Sequence, residues 1–212
     1  MDITIVFQLL ILLFSIVIHE VSHGIVALLL GDPTAKYSGR LTLNPLRHID
    51  PVGTVLLPIT LLILSGGRTS FGWAKPVPYN PHNLRNHKWG PAMVGVAGPL
   101  SNILLALFFG LTIRFGHAAL SEYFTGFLVL VVLTNLYLAA FNFIPIPPLD
   151  GSKLLLSLLP SRIAETWGDF LERYGFFLLM MLIFFPAVSS ILWSVLSIPI
   201  SILFSLFTGL SF

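Results

Sequence analysis

Residues 3–30 read ITIVFQLLILLFSIVIHEVSHGIVALLL. The run is long enough to cross a bilayer as one helix, and its only ionisable side chains fall in His19-Glu20-Val21-Ser22-His23. On a helix His19 and His23 lie one turn apart on the same face, where two imidazoles can grip one metal ion. Glu20 then lies beside that ion, placed to take a proton from an activated water. The bland alternative is a polar cluster satisfied by neighbouring helices. Each ionisable group near the bilayer centre costs on the order of 3 kcal/mol on insertion scales, and three within five positions argue against it. A hydrolytic metal motif at this depth points to peptide-bond hydrolysis inside a membrane.

Composition agrees with that setting. The 212 residues are 56% hydrophobic and 9% charged, and mean hydropathy is +0.92. Soluble domains carry about 25% charged residues, so the lipid bilayer is the expected surrounding. Net charge is +2, with no basic run interleaved with aromatics, and nucleic acid is not an expected partner. There is no cysteine, which excludes disulfides, thiolate metal sites and thiol nucleophiles. Ser15, Ser22 and Ser101 have no His/Asp partner pattern, which argues against a serine mechanism.

Further apolar stretches are Val52–Leu64, Ala92–Ile113, Phe124–Phe143 and Phe176–Phe212. Val52–Leu64 is short for a span and contains Pro58, so it is expected to be re-entrant. In that topology 10 of the 11 Lys and Arg share one face, leaving only Arg114 opposite. The positive-inside rule makes that face cytoplasmic and puts the N-terminus outside. Ala35–Leu43 and Phe71–Tyr79 read as strands, the second an edge strand because Pro76 and Pro78 lack donors on one side, which leaves its other edge free to pair. Ser161–Tyr174 reads as a short surface helix. The expected fold is an all-α polytopic membrane protein: a bundle of transmembrane helices, a short re-entrant segment and small membrane-associated β-strands. It is read as one domain over 1–212, with a core at 3–151 and C-terminal helices at 152–212.

Catalytic zinc sites use three protein ligands and leave one position open. Asp150 is the carboxylate outside the first helix best placed to approach it from an apolar segment. Pro145, Pro147 and Pro148 forbid a regular helix before it, and Gly151 is expected to supply unusual backbone angles. Asp150 read alone suits a turn or cap at the membrane edge equally well. Depth supports the ligand reading: His19 lies roughly 24 Å from Ile3 and 16 Å from Leu30 along a helix, nearer the cytoplasmic end. The span before Asp150 exits at that same side.

At this point the chain resembles the site-2 protease family of intramembrane zinc metalloproteases. His19-Glu20-Val21-Ser22-His23 matches its HExxH motif, and Asn142 through Gly151 its Asn-x-x-Pro…Asp-Gly signature. Gly98-Pro99-Leu100-Ser101-Asn102 is similar to the small-residue and Asn motif of its middle helix. Gly31-Asp32-Pro33-Thr34-Ala35 and the run Phe71 to Pro78 resemble its compact prokaryotic branch, without PDZ or CBS domains. The resemblance implies one zinc ion on His19, His23 and Asp150, with Glu20 as general base. It implies that Asn102 and Asn142 bind substrate backbone or the developing oxyanion, interhelical hydrogen bonds being the plain alternative. The implied partner is a transmembrane protein substrate, and the implied location a prokaryotic cell membrane with the active site nearer the cytoplasm. The alternative is a membrane metal-binding protein or transporter using the same His/Asp cluster; a membrane zincin acting on prenylated proteins would need a Glu ligand from another helix, and no such Glu is found. His48, His82, His87 and His117 read as solvated or interfacial.

Overall fold

Helices long and apolar enough to cross a membrane dominate the computed structural model, which describes residues 3–56, 60, 63, 74–116 and 119–212. Four qualify: α1 (Ile3–Leu29, from Val6 onward), α3 (Gly90–Gly116), α4 (Glu122–Asn142) and α7 (Pro186–Thr208). Three others accompany them: α2 (Thr34–Tyr37), α5 (Gly151–Leu158) and α6 (Ser161–Phe184). Helix ends follow local chemistry. The Ser121 side chain accepts from the Phe124 N–H to cap α4, and Glu122 in its first turn suits the helix dipole. Pro186 opens α7 at a position needing no donor, and Gly209 closes it at φ +74°.

The bundle packs through small residues and aliphatic side chains. Ala106, Ile113, Leu128, Val132, Leu136, Ile200, Phe204 and Phe207 form one buried cluster uniting α3, α4 and α7. Gly110 permits this: a Cβ there would stand 2.6 Å from that of Phe207. Apolar side chains such as Leu9, Phe14, Leu104, Ile191, Ile198 and Ile202 face outward, as a bilayer requires. Helices α1 and α3 run antiparallel, in a register that sets Ser15 against Asn102 and His23 against Val94.

Several expectations are revised. Among the described residues there is no strand. Ala35 opens no strand but lies in α2, because the Asp32 carboxylate accepts from the Thr34 N–H and Pro33 starts the turn. Residues 71–73 lie outside the described residues. Ala74–Asn80 is irregular, and its donors go to the protein's own groups: Lys75 N–H to the His48 carbonyl, Val77 N–H to Glu20 and Asn80 N–H to Asp32. The donor-bearing edge expected to be free is thus engaged. No re-entrant hairpin emerges among the described residues: Pro51–Leu56 makes one wide π-type turn, and most of the remainder to Leu64 lies outside them. The Arg85 N–H nevertheless donates to the Leu30 carbonyl at 2.9 Å, so the long connection returns to the end of α1 it left. The surface helix does not stop at Tyr174. It runs unbroken to Phe184, since the first proline it meets is Pro186, and Gly175 lets it lie against Pro147.

Asp32 pins that connection. It is fully buried and accepts from the Thr34 N–H and hydroxyl, the Asn83 amide and the Asn80 N–H. Burial alone would raise its pKa. The bonds from Thr34 and Asn83, then those from the Asn80 and Thr34 backbone, outweigh it and hold the carboxyl below its ordinary value. A depressed folded pKa stabilises above the unfolded value and loses that contribution as pH falls through the folded one. Asp32→Ala should therefore cost on the order of 3 kcal/mol at pH 7, and progressively less below about pH 4. Thermal unfolding in detergent across pH checks this; a pH-independent deficit would contradict it.

Candidate metal centre

The helical spacing of His19 and His23 places their rings 4.7 Å apart, centroid to centroid, nearly perpendicular. Both are buried and face α3 at Gly98. Asp150 reaches the same point from the start of another helix, Gly151–Leu158. After α4 ends, the Pro145–Pro148 segment turns back, and Asp150 becomes the residue before α5 without using its side chain as a cap. Gly151 has ordinary backbone angles, contrary to expectation; it is needed because a Cβ would strike the Phe143 carbonyl. One Asp150 oxygen, Oδ2, lies 3.0 Å from His19 Nε2 and 3.1 Å from His23 Nε2. The other, Oδ1, accepts from Lys153 Nζ at 2.8 Å.

Donor chemistry and space both fit a metal ion. The outer nitrogen of His23, Nδ1, lies 2.6 Å from the Val94 carbonyl, which can only accept, so Nδ1 carries a proton. In the neutral ring Nε2 then presents a lone pair. His19 Nδ1 is similarly engaged, 2.6 Å from Asn102 Oδ1. Two imidazole lone pairs and a carboxylate oxygen thus converge, all within 4.8 Å of one another, an arrangement a cation resolves. Donors about 2.0–2.1 Å from a tetrahedral zinc stand about 3.3 Å apart, near the separations seen here. Gly98 leaves the space: a Cβ there would sit 2.5 Å from both Nε2 atoms.

Glu20, half-buried, points beside this cluster and accepts from the Val77 N–H at 2.8 Å. His19, Glu20, Ala74, Pro76, Asn142 and Pro148 are among the residues around a cavity of about 480 Å³ next to the cluster. Asn142 also lines this cavity, its amide nitrogen donating to the Leu138 carbonyl at 2.9 Å. Asn102 does not. It is wholly buried behind His19, donating to Asn135 Oδ1 at 2.8 Å and to the Ser15 carbonyl at 3.3 Å, the interhelical arrangement that was the plain alternative. Lys153 and Asn135 went unremarked at the level of sequence, although an amide in the middle of the Phe124–Phe143 run is itself a signal. His48 is buried rather than solvated, with Nε2 on the Thr42 carbonyl. His82 and His87 are exposed, and His117 lies outside the described residues.

Comparison with known proteins agrees with the geometry. A model of peptidase family M50 matches residues 111–183, which include Asn142 and Asp150. The chain is 35% identical over 206 residues to the "Putative zinc metalloprotease YwhC" of Bacillus subtilis (strain 168), covering 94% of this chain and 90% of that protein. It is 33% identical over 184 residues to the "Putative zinc metalloprotease Rip2" of Mycolicibacterium smegmatis, covering 84% of this chain and 66% of the relative. A shorter match, 44% over 63 residues, joins it to the "Putative zinc metalloprotease MJ0611" of Methanocaldococcus jannaschii. No solved structure matches. Similarity along nearly the whole of both chains in the first case, and two metal motifs that meet in space, lead to one assignment: the chain belongs to peptidase family M50, the site-2 proteases.

Proposed function

We propose that this chain is a zinc-dependent intramembrane endopeptidase that cleaves transmembrane protein substrates in or near their membrane helices, as in regulated intramembrane proteolysis. The observation that carries the reading is the meeting of His19, His23 and Asp150 beside a carboxylate, Glu20, at a cavity among the spans. His19, His23 and Asp150 would hold the ion. When bound, zinc supplies a Lewis acid that polarises a peptide carbonyl and acidifies water. Glu20 takes the proton of the attacking water on a carboxylate oxygen and returns it to the leaving amine. The Val77 N–H steadies the carboxylate through Oε2, and its two oxygens can accept from that amide and from water together. Asn142 offers its amide to the peptide carbonyl oxygen, leaving the Leu138 carbonyl, and an amide donor in a dry site stabilises a developing oxyanion by several kcal/mol at most.

Charge bias supports a cytoplasmic-side site. Lys36, Arg40, Lys75, Arg85 and Lys88 all belong to the connection that begins and ends at the His23 end of α1. On this reading the chain is a single catalytic domain in a prokaryotic cell membrane.

The test is metal analysis of the purified chain with cleavage of a single-span reporter. One equivalent of zinc is expected, with cleavage abolished by a chelator and restored by zinc. A chain that moves zinc across vesicles but leaves the reporter intact would instead be a transporter.

A further inference from the structure

The His19 contact has a direction that His19 and Asn102 cannot choose by themselves. An amide can present either its oxygen or its NH2 to an imidazole nitrogen, and the two choices leave Nε2 with opposite roles. Only the oxygen makes Nδ1 the protonated nitrogen and frees the Nε2 lone pair for a cation. What selects it lies one helix further away. Asn135, on α4 and 1% exposed, has its amide nitrogen 2.9 Å from the Val131 carbonyl. That carbonyl can only accept, so the Asn135 NH2 must face it and its Oδ1 must face outward. Oδ1 then requires a donor, and the Asn102 NH2 meets it at 2.8 Å. The Asn102 oxygen is left on His19, 2.6 Å from Nδ1. A second acceptor, the Ser15 carbonyl, favours the same orientation through a longer 3.3 Å contact. Reversing any link would set two donors or two acceptors against each other in a buried apolar bundle, at about 1–3 kcal/mol each.

We infer that Asn135 is a positioning residue for the metal centre: by way of Asn102 it locks the His19 ring in the form that offers Nε2 to a cation. It never touches the ion or the substrate. Partners behind metal-bound histidines are typically worth 10–100-fold in affinity. Because Ser15 retains part of the constraint, the low end is expected here. The inference rests on His19 being a metal ligand, and the experiment separates the two claims.

The full chain, purified in detergent, is titrated with zinc against a competing chelator. Asn135→Leu should bind zinc about tenfold more weakly than wild type. The informative variant is the double Asn102→Asp, Asn135→Leu. A carboxylate has no NH2 to misdirect and always shows His19 an oxygen, so affinity should return to within about threefold of wild type. A mere packing role for Asn135 would make the buried Asp a second injury. His19→Ala is the control, expected to lose zinc. Wild-type affinity in Asn135→Leu, or a double variant no better than the single, overturns the relay while leaving the His19 assignment intact. If His19→Ala binds zinc normally, the relay and the metal site fall together. Should Asn135→Leu not fold, the double variant decides alone: zinc within threefold supports the relay, and weaker binding refutes it.

Discussion

Gly98→Ala is expected to yield a folded chain that holds no zinc. The added Cβ would lie 2.5 Å from His19 Nε2 and His23 Nε2 and 2.6 Å from His19 Cε1, far inside van der Waals contact. Neither ring can retreat easily. His19 is tied through Nδ1 to Asn102, His23 through Nδ1 to the Val94 carbonyl, and Asp150 closes the third side. The methyl group would occupy the space onto which all three donors open, and zinc tolerates little deviation from bonds of about 2.0–2.1 Å. Helix α3 itself should not suffer, because Ala is a better helix former than Gly by about 1 kcal/mol. Metal content by mass spectrometry is the measurement, with near-zero occupancy expected and cleavage lost with it. Gly126→Ala on α4, where a Cβ meets nothing within 4 Å, is the matched control and should keep one equivalent. Stoichiometric zinc in Gly98→Ala would mean that the ion sits elsewhere.

The second large effect separates metal binding from chemistry. Glu20→Gln is expected to lower reporter cleavage by about 10²–10⁴-fold, the usual worth of a positioned general base, while zinc stays at one equivalent. Glutamine preserves the shape of the side chain and, through its amide oxygen, the bond from the Val77 N–H. It cannot accept a proton from water. Activity within tenfold of wild type would remove Glu20 from its role. Zinc lost together with activity would make it a structural partner of the ligands.

The histidine pair was legible in the sequence because its geometry is local. Four residues make about one turn, whatever the rest of the chain does. The same holds for the apolar runs that became α1, α3 and α4, and for the proline-broken approach to Asp150. Readings failed for local reasons in two places and for a distant partner in a third. Ala35 joined a helix because Pro33 starts a turn and the Asp32 carboxylate accepts from the Thr34 N–H. The donors of Ala74–Asn80 looked free because His48, Glu20 and Asp32, which receive them, are distant in sequence. The surface helix ran on into Phe184 because ten residues without proline offered no reason to stop.

Asn102 illustrates the division most clearly. Its residue type and its place in a motif were apparent, yet a side-chain amide can serve substrate or scaffold equally well. The α1–α3 register turned it toward His19, and Asn135 from α4 oriented it. The sequence by itself determined a membrane-embedded bundle and the pairing of His19 and His23 on one helix face, because composition and helical spacing act over a few residues. Only the tertiary structure decided that Asp150 turns toward the histidines, that Gly98 leaves room between them, and which imidazole nitrogen is free. Each of those depends on distances between helices, and interhelical distances are set by packing over the whole bundle.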